Sequence, residues 1–327
     1  MIPAAAAVTP EKPTVLIVRE LLAPGLEVLG DDYQLRTGGA EVKRADLLKR
    51  ARGVRALIVD PTDTVDEQLL EACGSALLLV ANNAVGYDHI DLEACRRRGV
   101  IVTNTPDVLT NATAETALAL TLSAARGFWT AETDLRQGRW SGWSPSAYLG
   151  TELSGATFGI VGLGRIGRRY AELVQPLAGE LLHATRSPKP DTERELGISR
   201  VELGDLLERS DVISLHAPAT PETTHLIDGE ALALMKASAV LVNTARGSLV
   251  DPSALAAALE QGRIGAAGLD VYEAEPSVPE ELLAAPNCVL LPHVGSATTK
   301  ARGAMARLAA ENVVAVLSGA GPITPVA

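Results

Sequence analysis

The sequence predicts an α/β protein built from two doubly wound parallel-sheet domains with a cleft between them. Three observations predict it. The chain has 327 residues, about two domains at roughly 150 residues each. Its short apolar runs are continuous rather than alternating, the pattern of strands covered on both faces by helices. Those runs alternate with longer Ala/Leu/Glu/Arg segments of helical period, and the rhythm occurs twice.

Taken in order, the candidate strands of the first half are Thr14–Val18, Ala56–Asp60, Leu77–Ala81 and Val100–Thr103, with helical stretches such as Asp63–Cys73 and Asp91–Arg98 between them. Val108 to Arg126 reads VLTNATAETALALTLSAAR without Pro or Gly. It follows Pro106, which suits a helix start, and it is expected to carry the chain from the first domain to the second. The second rhythm gives Thr157–Val161, Glu180–Ala184, Val212–His216, Ala239–Asn243, Ala266–Asp270 and Val289–Leu291. A final Ala-rich run, Ala297 to about Ser318, is helical and can pack back on the first domain. The expected division is therefore residues 1–105 with 297–327, and residues 106–296.

Composition removes several classes of function. The net charge of −11 argues against nucleic acid or an anionic membrane as the main partner, since both need clustered Lys and Arg. Aromatic residues are only 3% of the chain, so Ala, Val, Leu and Ile must build the core. The three cysteines, Cys73, Cys95 and Cys288, have no regular spacing. They indicate buried thiols rather than a disulfide framework or a zinc site, and no metal is expected. The stretch Met1–Pro13 has an Ala run but no basic segment before it and is read as a frayed tail, not a signal peptide. No run of about 18 apolar residues is free of charge or Pro, so a cytoplasmic location is expected. Two of the three Trp, Trp140 and Trp143, stand in the loop Gly138–Pro145, which suggests an interface or a pocket rim.

Residues 157–167, TFGIVGLGRIG, place a buried strand before G-x-G-x-x-G and a helix after it. That context makes a dinucleotide-binding turn. Gly162 permits the tight turn, Gly164 lets the backbone approach a pyrophosphate, and Gly167 allows close helix–strand packing. The helix N-terminus offers free N–H groups to the phosphates. The next strand ends in ELLHATRSP, residues 180–188. No carboxylate stands at the strand end to hold a ribose 2′-hydroxyl. Thr185, Arg186 and Ser187 stand there instead, and such groups suit a 2′-phosphate. NADP(H) is thus expected over NAD(H), with NAD(H) possible.

Three later segments follow predicted strands: VNTARGSLVD (242–251), GLDVYEAEP (268–276) and LPHVGSAT (291–298). Strand C-termini share one edge of a doubly wound sheet, so Arg246, Glu275 and His293 can converge although 29 and 18 residues separate them in sequence. Together with the fingerprint, these segments closely resemble the D-isomer-specific 2-hydroxyacid dehydrogenases. NNAVGYDHID (82–91), TNTPDVLTNATAE (103–115) and the Trp140/Trp143 loop running into Gly150 resemble the glyoxylate/hydroxypyruvate reductase branch. His89 departs from the Asn more usual there.

The resemblance implies a flavodoxin-like substrate domain and a Rossmann dinucleotide-binding domain. It implies Arg246, Glu275 and His293 as the catalytic set, His293 being the general acid in reduction. Glu275 would favour the imidazolium and fix its tautomer. Arg246 would pair with the substrate carboxylate. The backbone at Val85 and Gly86 would cradle that carboxylate, with Ser296 just beyond the histidine. The expected cofactor contacts are Gly162, Gly164, Arg165, Ile166, Gly167, Thr185, Arg186, Ser187, His216, Pro218, Thr113, Thr244, Ala245, Asp270 and Gly295. A small 2-keto or 2-hydroxy acid is the implied substrate. A homodimer is the implied assembly, with the apolar face of Ala114–Leu122 and the Trp loop at its interface and Trp143 near the partner's site. His183 and His225 are read as surface residues, and Glu273 is the rival to Glu275. Phosphoglycerate dehydrogenase is the alternative enzyme, and a dinucleotide-sensing corepressor-like regulator the alternative class.

Overall fold

The computed structural model describes residues 12–326, so most of the tail read from Met1–Pro13 lies outside the described residues. Two compact units divide the chain: one takes in residues up to Leu109 together with the segment from Thr298, and the other is Thr110–Ala297.

The first unit holds a five-stranded parallel sheet of β1 (Thr14–Ile17), β2 (Gln34–Thr37), β3 (Ala56–Val59), β4 (Leu79–Asn82) and β5 (Ile101–Thr103). Its order is β2-β1-β3-β4-β5, the flavodoxin-like winding. Because side chains alternate along a strand, Leu16, Leu57, Val59 and Val80 form one core with the helices Arg44–Arg50, Glu67–Cys73 and Leu92–Arg97. Val15, Ile17, Ile58, Leu79 and Ala81 face the other way, onto Ala306, Ala309, Ala310 and Val313 of the helix Thr299–Leu317. Both faces are covered, which explains the continuous apolar runs. Asp66, Asp91 and Thr298 cap their helices by accepting from the N–H groups of Leu69, Ala94 and Ala301.

The second unit holds seven parallel strands: β6 (Ala156–Val161), β7 (Ala178–Ala184), β8 (Ser199–Arg200), β9 (Val212–Leu215), β10 (Val240–Asn243), β11 (Ala266–Leu269) and β12 (Cys288–Leu290). Their order, β12-β11-β10-β9-β6-β7-β8, is the Rossmann winding with one further strand. Phe158, Ile160 and Val242 pack with Ala114, Ala117, Leu120 and Tyr170 on one face. Ile213, Leu215, Leu241 and Leu269 pack with Leu206, Leu232 and Leu255 on the other. The α/β class and its two parallel sheets are those predicted. Among the described residues no helix is long and apolar enough to cross a membrane.

Several local expectations need correction. The strands β2 and β8 escaped the sequence reading because both are short edge strands, half-exposed or exposed, with no apolar run to mark them. The long helix begins at Thr110, not Val108, since Asp107 takes a left-handed φ of 69° and the chain turns before entering it. Its Ala114, Ala117 and Leu120 are buried in the unit's own core, so this face is not free for an interface. His183 is buried at 0% exposure, not at the surface.

Gly25 shows how tightly the first unit's helices meet. A Cβ there would lie 2.6 Å from the carbonyl oxygen of Ala306. Alanine gains about 1 kcal/mol in helix propensity over glycine, but a clash with fixed backbone costs about 1–3 kcal/mol. Gly25→Ala is therefore expected to lower the urea midpoint. An unchanged or raised midpoint would contradict this packing.

Candidate active site

In the second unit the loops after β6, β9, β10, β11 and β12 leave one edge of the sheet, and each carries candidate residues. Gly162 follows β6 with a φ of 94°, a left-handed turn that suits glycine. A Cβ on it would meet the His216 carbonyl at 2.7–2.8 Å, and one on Gly167 would meet the Gly162 oxygen at 2.1 Å. A Cβ on Gly164 would meet nothing within 4 Å. This glycine caps the helix Arg165–Val174, whose first turn includes Ile166 and Gly167. The turn thus has two crowded glycines and one facing open space, a shape that fits a pyrophosphate against the helix N-terminus. His216 packs beside Tyr170, and its Nε2 lies 2.9 Å from Ser214 Oγ. Burial pushes its imidazole down to about 3, so it stays neutral.

After β10, Asn243 shapes the next loop. Its Oδ1 accepts from the Ala245 N–H at 3.0 Å and its Nδ2 donates to the Arg246 carbonyl at 2.7 Å. The Arg246 guanidinium donates to the Ala245 carbonyl. Gly247 lets this loop touch the one after β11, because a Cβ there would lie 1.9 Å from the Tyr272 carbonyl carbon. The hydroxyl of Thr244 is buried with no hydrogen-bond partner. An orphaned buried hydroxyl at this edge fits a polar ligand group such as a carboxamide.

Asp270 organises the third loop. It is buried, and burial pushes its carboxyl up, opposed by two backbone donors. Those donors are the N–H groups of Val294 and Gly295, each 2.7 Å away. The His293 N–H also donates to the Asp270 carbonyl at 2.9 Å. This clamp holds His293 at a φ of 54°, a conformation that disfavours residues other than glycine by roughly 1–2 kcal/mol. Thr113 lies against Gly295, 3.4 Å from where a Cβ would stand.

The clamp brings His293 to Glu275. The ring Nδ1 and Glu275 Oε2 are 2.6 Å apart, and the Tyr272 N–H donates to Oε1 at 3.0 Å. Burial raises the Glu275 carboxyl, but the bonds from His293 and Tyr272 and the nearby Arg246 charge outweigh it and hold it below the usual carboxylate range. With Nδ1 occupied, Nε2 is the ring nitrogen left to meet a reactant. Glu273 pairs instead with His225 at 3.2 Å, so geometry separates the two acids. Tyr272 was missed in the sequence. It stands two residues after Asp270, and its hydroxyl donates to the Leu291 carbonyl at 2.9 Å, tying the two loops together.

At the end of β7, Thr185 Oγ1 donates to the Ser187 carbonyl at 2.8 Å. His183 lies beneath, 3.3 Å from Thr185 Oγ1 and 3.2 Å from Glu193, and burial lowers its pKa. Arg186 and Ser187 are exposed, as is Pro218 after β9. Arg200 of β8, also missed, donates to the Thr185 carbonyl at 3.0–3.1 Å. It is exposed at the sheet edge, where no motif flags it.

In the first unit, the turn after β4 carries Val85 and Gly86. Its carbonyls are pinned: Ala84 accepts from the Thr105 N–H at 2.9 Å, Val85 from Asn104 Nδ2 at 2.8 Å and Gly86 from Asn82 Nδ2 at 2.8 Å. In the second unit, Ser296 is half-buried just past the clamp, while Trp143 is 85% exposed. Leu122, Phe128, Trp129, Leu135, Trp140, Tyr148 and Leu149 are exposed in the same stretch of chain.

A family model described as D-isomer specific 2-hydroxyacid dehydrogenase, NAD binding domain, matches residues 118–295. The glyoxylate reductase of Thermococcus litoralis is 44% identical over 317 residues, 95% of this chain and 96% of that protein. The crystal structure of the TT0316 protein from Thermus thermophilus superposes with a TM-score of 0.90 at 42% identity, over 96% of this chain and 100% of that one. A NADPH-dependent glyoxylate/hydroxypyruvate reductase from Sinorhizobium meliloti, solved with NADP and malonate, gives 0.86 at 37% identity over 97% of each chain. With an NAD-binding domain matched over more than half its length and relatives aligned nearly end to end, this chain belongs to the D-isomer-specific 2-hydroxyacid dehydrogenase family.

Proposed function

We propose that the protein reduces glyoxylate or hydroxypyruvate to the D-2-hydroxy acid, with NADP(H) as the preferred cofactor. The observation that carries this reading is the 2.6 Å contact between His293 and Glu275 on the dinucleotide-binding sheet edge. Residues 106–296 serve as the dinucleotide-binding domain. Residues 1–105 and 297–327 serve as the substrate-binding domain.

The bound nicotinamide cofactor supplies the hydride. The chain supplies everything else. His293 Nε2 gives its proton to the carbonyl oxygen as negative charge develops there, and takes it back in the oxidative direction. Glu275 fixes the ring through Nδ1. Arg246 pairs with the substrate carboxylate and polarises the carbonyl, tasks for which its planar fork suits it better than Lys. In the first unit, Val85 and Gly86 are the proposed backbone N–H donors for a substrate carboxylate, and in the second Ser296 is a proposed substrate contact. Gly162, Gly164, Arg165, Ile166 and Gly167 hold the pyrophosphate. Thr113, His216, Pro218, Thr244, Ala245, Asp270 and Gly295 line the remainder of the cofactor site. Thr185, Arg186 and Ser187 receive the 2′-phosphate, where an acid would repel it.

A second copy of the chain is the proposed partner. The exposed apolar stretch Leu122–Leu149, rather than the buried face of the preceding helix, is the surface that supports this. In that dimer Trp143 stands near the partner's active site.

His293→Ala should slow turnover about 100-fold or more, from the ~10²–10⁴ contribution of a positioned acid. NADPH affinity should be unchanged, and near-normal rates at neutral pH would remove His293 from the role. Thr185→Asp should move the preference toward NADH, measured as the ratio of kcat/KM for the two cofactors. Wild-type protein that uses both equally well would overturn the cofactor reading. Because the folded Glu275 titrates below the ordinary carboxylate value, its stabilisation is complete above that ordinary value. It is lost as pH falls through the lowered one. The stability gap between wild type and Glu275→Gln should therefore be about 1–3 kcal/mol near neutrality and close in acid, read from urea midpoints across pH. A gap independent of pH would contradict an ionised Glu275. A substrate panel of glyoxylate, hydroxypyruvate, pyruvate and phosphohydroxypyruvate with each cofactor tests the reaction. Turnover of phosphohydroxypyruvate alone would favour phosphoglycerate dehydrogenase, and none at all a non-enzymatic regulator.

A further inference from the structure

The Val85–Gly86 turn does not stand on its own. In a trans peptide the C=O of one residue and the N–H of the next point in opposite directions. The Ala84, Val85 and Gly86 carbonyls are drawn toward Thr105, Asn104 and Asn82. Each of the N–H groups of Val85, Gly86 and Tyr87 is thereby turned away from the group that holds the carbonyl of its own peptide. Successive peptide N–H groups can form an anion cradle, and the aim of these depends on the groups that hold the carbonyls.

Asn82 is fully buried on β4, but Asn104 lies past the end of β5 and is held by a distant part of the chain. The Thr324 hydroxyl donates to the Asn104 carbonyl at 2.6 Å, and the Asn104 N–H donates to the Thr324 carbonyl at 3.2 Å. Thr324 is itself fixed from the last helix. Asn312, 0% exposed, donates through Nδ2 to Thr324 Oγ1 at 2.9 Å. Its Oδ1 accepts from the N–H groups of Ile323 and Thr324 at 2.9 and 3.1 Å. The segment continues as an antiparallel neighbour of β5, with a bridge between Thr103 and Pro325 and a bond from the Val326 N–H to the Val102 carbonyl. An unbroken polar path thus runs from Asn312 through Thr324 and Asn104 to the Val85 carbonyl.

We infer that Asn104 and Thr324 are positioning residues for the substrate carboxylate, and that the segment Ile323–Val326 is a working part of the cradle. The inference rests on the proposed role of Val85 and Gly86. Neither side chain touches the reacting atoms. Each acts by fixing the plane of the Val85–Gly86 amide.

The test compares full-length wild type with Thr324→Val, Thr324→Ser and Asn104→Ala in steady-state kinetics with glyoxylate and NADPH. Thr324→Val keeps the shape and removes the hydroxyl. It should raise the keto-acid KM about fivefold to tenfold, the loss expected from one misaligned hydrogen bond, with kcat and the NADPH KM within about twofold of wild type. Asn104→Ala should raise the keto-acid KM at least as much. Thr324→Ser, which retains the donor, should restore it. Thermal unfolding establishes that each variant is folded, and where Asn104→Ala does not fold the Thr324 pair decides. Folded Thr324→Val with an unchanged keto-acid KM overturns the inference. So does a fall in kcat and cofactor affinity as large as the change in KM, since that would signal general loosening. A wild type active on glyoxylate with silent variants sinks this inference alone, whereas an inactive wild type sinks the proposed function with it.

Discussion

The short contact between the His293 ring and the Glu275 carboxylate depends on a third acid that touches neither side chain. Asp270 closes on three successive peptide N–H groups, those of His293 by its carbonyl and of Val294 and Gly295 by its carboxylate. Without that clamp nothing would hold a histidine in a left-handed backbone conformation. With it, the ring is delivered to a carboxylate on a neighbouring loop. The energetic order is plain. Roughly 1–2 kcal/mol of backbone strain is offset by three backbone hydrogen bonds, each contributing about 0.5–1.5 kcal/mol.

The same device recurs along both sheet edges. Asn243 grips the peptide units around Arg246, and Asn82 and Asn104 grip those around Val85 and Gly86. Each of these amides or acids sits at or just past the end of a strand. The strand ladder fixes its backbone, and its side chain then dictates the course of the loop that follows. The candidate site groups therefore inherit the rigidity of the sheet although they stand on loops.

Much of this was legible in the residues. The apolar runs of β1, β3, β4, β6 and β9 are covered on both faces, so their pattern survives in sequence. The two strands that escaped notice, β2 and β8, lie at edges where half of each residue meets water and no periodicity is required. The fingerprint Gly162-x-Gly164-x-x-Gly167 was readable because glycine is demanded by contacts of 2–3 Å at its first and last positions. The nearness of Glu275 to His293 was not readable from spacing, since Glu273 offers the same chemistry two residues away. Only the loop path, with the Tyr272 N–H behind one acid and His225 beside the other, separates them. Arg200, Tyr272 and Thr324 were invisible for a related reason. Their side chains donate to backbone carbonyls, which carry no sequence signature.

The first unit is discontinuous, and this has a consequence for biosynthesis. One face of its sheet is closed by Ala306, Ala309, Ala310 and Val313, residues that leave the ribosome after the whole of the second unit. Emerging from the exit tunnel, β1, β3 and β4 present that apolar face to water until the helix Thr299–Leu317 has been translated. The second unit has all its strands and covering helices in one stretch and is free to mature first. Nascent chains stalled before the final helix would thus carry a finished nucleotide-binding half beside an open, chaperone-susceptible one.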